Sequence, residues 1–288
     1  MKKNRRAVWL LGALSMACFV SAAYAKKARS PGHIYTSSFN QEWLKAVVSI
    51  EKIDWKESPV PVGTGFLMLS AGNHCLLVTA KHVVLAEGNR PRPNLAYRFN
   101  NIAHHSILLT EDALKKKGLG EWFVSSNADV ACRFIGVKST FDFKVIGVSH
   151  VLPQSGVQAG APVVILGFPL GLRSEKYAVP MVRRGMVALS EGNRLIVDGF
   201  IFPGNSGGPV VYVPAVDFSG GPLLNQQRLI GLISSYIPYE DVAISAQTRH
   251  PRILFEENSG MCDVVPADAI EELINRSDVQ AFNKTIKD

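Results

Sequence analysis

The sequence predicts an all-β protein of two β units, finished by a terminal helix. Three observations carry this. Short runs rich in β-branched residues recur along the chain. Gly, Pro, Asn or Asp punctuates most of the gaps between them, and helical periodicity is scarce before residue 266. Many short strands separated by turn signals indicate a sandwich or a barrel.

The first 25 residues stand apart from this pattern. Lys2, Lys3, Arg5 and Arg6 make a basic start, Ala7 to Val20 is apolar, and Ala23-Tyr24-Ala25 matches the small-x-small pattern of a signal-peptidase site. The apolar run is shorter than the ~20 residues that span a bilayer. Residues 1–25 are therefore expected to be a cleaved signal peptide, which implies a periplasmic or secreted protein without stable membrane insertion. Four basic residues leave with it, so the excess of seven positive charges falls to about three. A charge that small argues against a nucleic-acid partner, and Lys115-Lys116-Lys117 is too short a run to change this. Hydrophobic residues make up 47% of the chain, ordinary for a soluble globular protein.

The first series of strands is expected at 46–53, 62–69, 75–80, 129–135 and 143–148. Between them, Thr110 followed by Glu111 and Asp112, with Gly118 at the far end, reads as a short capped helix inside a long connection. The segment from Gly147 to Gly160, with Pro153 and Gly156, divides the strand series and places the two units at 26–150 and 151–288. The second series follows at 163–167, 182–189, 194–201, 209–213 and 228–235. Residues 237–258 read as a long surface loop. In the terminal helix, 266–274, Ala269, Ile270, Leu273 and Ile274 form an apolar stripe that docks on one face. No internal repeat at a solenoid-like period is present.

Beyond the leader only Cys75, Cys132 and Cys262 remain, too few for a disulfide-dense scaffold. One bridge plus a free thiol and three buried thiols are equally open. Without Cys-x-x-Cys or His-x-x-x-His spacing, no metal is expected, and no cofactor is implied.

Serine-based acyl transfer needs a hydroxyl, a base to take its proton, a carboxylate to orient the base, and N–H donors for the oxyanion. His82 ends an apolar strand in LLVTAKHVV, Asp129 opens another in SNADVACRF, and Ser206 sits in the Gly-rich turn PGNSGGP. Singly, these could be a core histidine, a strand-end cap and a tight turn. Together and in this order they resemble the chymotrypsin-fold serine proteases: VTAKHVV is similar to the family's Ala-x-His signature, ADVA to its Asp strand and GNSGGP to its nucleophile loop. GTGF at 63–66, and Asn205 before the serine, resemble the HtrA-like (Deg-type) bacterial branch. The likeness covers residues 45 to 275.

The resemblance implies two six-stranded antiparallel β-barrels, chymotrypsin-like, with His82 and Asp129 on the first, Ser206 on the second and an α-helix at the C-terminus. It makes Ser206 the nucleophile, His82 the general base and Asp129 its orienting partner, with the backbone N–H groups of Gly204 and Ser206 as the oxyanion hole. It reads Phe200 as the base of the primary specificity pocket, beside Ile201. Ser234 and Tyr236 would belong to the substrate-pairing strand LIGLISSYI, and Cys262 would lie near the pocket wall. No acid stands at the pocket position, so the expected preference is a small or medium apolar residue before the cut rather than Lys or Arg. Asn205 replaces the aspartate that animal digestive proteases pair with a new N-terminus, so activation should not need one. The residues after the last helix are too few for the PDZ domain common in HtrA-like proteins. The implied function is an exported serine endopeptidase acting on polypeptide substrates. The alternatives are a silent peptide- or partner-binding protein on a protease fold, and an esterase using the same triad.

Overall fold

A computed structural model describes residues 39–54, 59–120, 122–173, 176–214 and 226–286; the expected leader at 1–25 lies outside them. The chain enters through a 3-10 turn at Gln41–Ala46, capped by the Asn40 side chain, which accepts the Glu42 N–H. Nine strands follow: β1 (Val47–Lys52), β2 (Val60–Leu69), β3 (Cys75–Thr79), β4 (Leu85–Ala86), β5 (Arg90–Pro91), β6 (Leu95–Asn100), β7 (Ser106–Thr110), β8 (Phe123–Val124) and β9 (Ala131–Phe134). Two short helices interrupt them, α1 (Lys81–Val84) and α2 (Glu111–Lys115). As its sequence suggested, α2 is capped by Thr110, whose hydroxyl accepts the Ala113 N–H at 3.3 Å.

Seven of these strands pair in the order β7-β6-β1-β2-β3-β9-β8, all antiparallel, and β4 pairs with β5 apart from them. Among the described residues this sheet has seven strands rather than six and no ladder joins β7 to β8, within the all-β, two-unit architecture with a C-terminal helix that was expected. The extra strand is the two-residue β8, which pairs with β9 immediately before the Asp129 turn. The strand expected at 143–148 reduces to a single parallel bridge between Ile146 and Met68. This segment is crossing toward the second unit and meets β2 at one residue only.

The second unit comprises β10 (Pro162–Gly167), β11 (Met181–Glu191), β12 (Arg194–Asp198), β13 (Pro209–Tyr212), β14 (Arg228–Ile244) and β15 (Pro251–Pro266). They close into a six-stranded barrel in the order β10-β11-β12-β15-β14-β13. Val163, Ile165, Val187, Val197, Val210 and Ile233 fill it, each at most 2% exposed. A larger cluster fills the first unit and continues through Leu166, Phe168 and Leu229 into the contact between the units. The terminal helix is two helices, α3 (Ala267–Asn275) and α4 (Ser277–Asn283), broken at Arg276, which adopts extended backbone and donates to Asp278 and to the Val124 carbonyl. Ile270, Leu273 and Ile274 of α3 are buried as the stripe requires.

Residues 237–258 are a correction. They form a twisted β-hairpin arm in which the outer halves of β14 and β15 pair from Pro238↔Asn258 to Ile244↔Pro251. Both faces of the arm meet solvent, so its sequence lacks the one-sided alternation that marks a half-buried strand. The cysteines are three separate buried thiols: Cys75 and Cys132 in the first unit, and Cys262 inside the second barrel with its thiol directed at the Val197 carbonyl. Burial pushes each up to about 12. Cys262 is therefore core rather than pocket wall. Among the described residues no helix is long and apolar enough to cross a membrane.

Candidate active site

His82 is presented by the single turn of α1. Val83 and Val84 bury the turn's inner face, and the imidazole is left half exposed at its outer end. Asp129 precedes β9 and meets His82 twice. Its Oδ2 lies 2.7 Å from Nδ1 of the ring, and its Oδ1 accepts the His82 backbone N–H at 3.0 Å. A third donor is the Ser234 hydroxyl, 2.7 Å from Oδ2. Burial alone would raise the Asp129 pKa, but the His82 ring, the Ser234 hydroxyl and the His82 N–H outweigh it and hold the carboxyl down to about 2. The ring is thereby fixed through Nδ1, which leaves Nε2 as the nitrogen not engaged by Asp129.

Ser206 comes from the second unit, on the turn before β13. Its hydroxyl donates to the Ser234 carbonyl at 3.3 Å rather than to His82. That bond is long and weak, and one rotation about χ1 is the motion that would release the hydroxyl toward a base. Around it, Asn205, Gly207 and Gly208 each give their N–H to a carbonyl of the protein. The N–H groups of Gly204 and Ser206 have no acceptor among the described residues. These two donors flank Asn205 in the turn, one of them on the serine itself, and an oxyanion is stabilised by N–H donors of this kind.

The turn is held by residues that sequence reasoning had left without a role. Thr64 of β2, fully buried, gives its N–H to the Ser206 carbonyl at 2.9 Å and its hydroxyl to the Gly204 carbonyl at 2.6 Å. Thr79 in turn donates to the Thr64 carbonyl at 2.6 Å. Gly207 makes this possible: with φ +82°, a Cβ there would stand 2.1 Å from the Thr79 hydroxyl and 2.2 Å from the Thr64 carbonyl. The GTGF motif ahead of the His strand was the available signal for Thr64. Asn205 is fully buried, and its side-chain oxygen accepts the Phe202 N–H at 3.1 Å. The turn is thus braced from within.

The expected specificity residues separate. Ser234 has its carbonyl on Ser206 and its hydroxyl on Asp129, so its side chain serves the His–Asp pair rather than a pocket. Tyr236 packs partly on the second core and donates its hydroxyl to Glu256. Ile201 is 3% exposed and belongs to the barrel core. Phe200, one residue away and facing outward, is 53% exposed and borders an open depression with Met181 to Arg184. An exposed ring is no pocket floor, and the cause is the alternation of an extended segment, which sends neighbouring side chains to opposite faces.

Comparison with known proteins gives the following. The family model described as "Trypsin-like peptidase domain" matches residues 63–213. No curated protein matches the chain. Among solved structures, the HtrA-type protease AlgW is similar in two forms, with a tripeptide and with a decapeptide. They are 15% and 14% identical to this chain, cover 82% of it, and superpose with a TM-score of 0.46. The alignment spans 62% and 65% of those chains, less than two thirds of their length.

Proposed function

Because the chain belongs to the trypsin-like peptidase domain family, we propose that it is a serine endopeptidase whose acyl-enzyme forms on Ser206. His82 takes the hydroxyl proton at Nε2 as Ser206 attacks the scissile carbonyl, and later returns it to the leaving amine. Asp129 stays ionised and stabilises the imidazolium. The N–H groups of Gly204 and Ser206 receive the oxyanion. The observation that carries this reading is the doubly bonded His82–Asp129 pair, linked through Ser234 to the Ser206 hydroxyl, whose turn holds two N–H groups with no acceptor among the described residues.

The polypeptide substrate class is supported by the edge of β14 running on from Ser234, unpaired among the described residues, which offers a chain backbone bonds that a small ester could not use. With no acid at Phe200 to Phe202, and with Arg183 and Arg184 lining the depression beside Phe200, a Lys or Arg before the cut would find no partner, so the residue there is a small or medium apolar one. Export to the periplasm or the exterior rests on the leader at 1–25, and kinship to the HtrA-like branch on GTGF and Asn205. The unit division at residue 150 rests on the Gly147–Gly160 connection.

The test compares the mature chain with its Ser206→Ala variant on an unfolded protein, with fragments mapped by mass spectrometry. Cleavage by the parent alone, after small or medium apolar residues, is expected. Equal cleavage by both would remove Ser206 from the chemistry. Hydrolysis of small esters without cleavage of polypeptides would favour the esterase.

A further inference from the structure

The outer half of β14 carries an uncovered edge among the described residues. β13 covers one edge of β14 only from Arg228 to Leu232, because the chain before Pro209 turns away into the Ser206 loop. Ile233 is still bonded to Gly207 and Gly208. From Ser235 to Ile244 that edge has no backbone partner among the described residues, while the other edge is paired with β15. Ten residues of uncovered strand are about 34 Å of edge, interrupted by irregularities at Tyr236/Pro238 and Ala243/Ile244 and lacking a donor at Pro238. Such edges are normally short or shielded, because they template the addition of another strand.

The side chains add to the case. Tyr239, Val242, Ile244, Ile253, Leu254 and Phe255 are each at least 42% exposed, and they lie on both faces of the arm. At its middle, Glu240 stands directly opposite Glu256, with Asp241 and Glu257 on the adjoining rungs. Like charges opposite one another destabilise a ladder, so a cation laid beside this band would relieve it.

Topology identifies the occupant. A strand added antiparallel to β14 takes up the line of β13 beyond Pro209 and passes Ser206 where its hydroxyl meets the Ser234 carbonyl. Like β13, it runs from the arm's tip toward Ser206. The residues lying on the arm are therefore those preceding the bond at Ser206. We infer that the arm is an extended acyl-side subsite: it pairs with roughly five to ten residues upstream of the cleaved bond, favouring alternating apolar residues and a Lys or Arg at the acidic band. This inference rests on the peptidase reading above and names the substrate class as long, extended, locally basic polypeptide.

The test uses three peptides identical from four residues before the cut onward. One ends there; two continue upstream for eight alternating-apolar residues, with Lys or with Glu at the middle. The parent should cleave the long Lys peptide with kcat/KM at least about tenfold above the short one, the sum of a few cross-strand contacts. A variant with residues 241–255 replaced by an Asn-Gly turn, which keeps the Glu240↔Glu256 rung, should cleave the short peptide like the parent and lose the advantage. Glu240→Lys with Asp241→Lys, which keeps the arm, should shift preference from the Lys to the Glu peptide. Equal rates for short and long peptides would overturn the subsite and leave the peptidase intact. Binding read by fluorescence anisotropy on Ser206→Ala separates the two claims: if the parent cleaves nothing yet the long peptide binds in an arm-dependent way, the peptidase reading fails and the acyl-side assignment with it, and the arm is left as a strand-binding edge. Binding indifferent to the arm would overturn it. A parent dimer made monomeric by arm shortening, seen by sedimentation, would also overturn it, by giving the edge to a second copy.

Discussion

Asp129 accepts three hydrogen bonds and is the most heavily determined residue of the site. Two come from His82 and one from Ser234, so the serine on β14 positions the carboxylate that positions the base. Ser234→Ala removes one donor, and the Asp129 pKa should rise from about 2 toward its ordinary value of 3.8. The expected cost is about tenfold in kcat with KM nearly unchanged, the worth of one hydrogen bond to a charged group. Steady-state kinetics check it, and Ser234→Thr, which keeps a hydroxyl, should recover part of the loss. A change confined to KM would instead assign Ser234 to substrate binding.

The first sheet is tied to its connection at the scale of elements by a charge with no access to water. Arg133 of β9 is fully buried; it donates to Glu111 of α2 at 2.5 Å, to the Tyr97 hydroxyl of β6 at 2.9 Å and to the Leu119 carbonyl at 2.5 Å. Its guanidinium also lies over the Tyr97 and Trp122 rings. Removing one partner of such a pair strands the other, typically at a cost of about 3 kcal/mol. Glu111→Ala should lower unfolding stability by that amount in urea titration. Its effect on kcat should be small, since Asp129 is anchored separately through His82 and Ser234. The helix at 111–115 was legible because its cap is local. Its job of neutralising Arg133 was not, because nothing in the sequence near Arg133 announces Glu111.

Acid sensitivity belongs to the whole molecule. Asp129, Asp142 and Asp278 are all held below the ordinary carboxylate range, Asp142 chiefly by the Tyr177 hydroxyl and Asp278 chiefly by the Arg276 guanidinium. A group with a lowered folded pKa contributes stability that is complete above its unfolded value and is lost as pH falls toward the folded one. For Asp129 the window runs from about 4 down to about 2. The thermal midpoint of the parent should fall through that window, and Asp129→Asn should flatten part of the fall. Identical pH slopes in the two proteins would mean that the His82–Asp129 pair does not contribute to folding stability.

The sequence by itself determined what is local: the strands around His82, Asp129 and Ser206, the Gly-rich turn, the cap of the helix at 111–115 and the apolar stripe of the helix at 267–275. Each is written in spacing or in turn chemistry within a few residues. Tertiary structure alone decided what depends on distant partners. Thr64 reaches Gly204 across 140 positions, and Ser234 reaches Asp129 across 105. The outward turn of Phe200 and the burial of Ile201 follow from how a closed barrel orients one short extended segment. Residues 237–258 read as a loop because neither face is buried, so no periodic signal is left in the sequence. They become strands because β14 and β15 supply each other's backbone hydrogen bonds, and that pairing also leaves an open edge running away from Ser206.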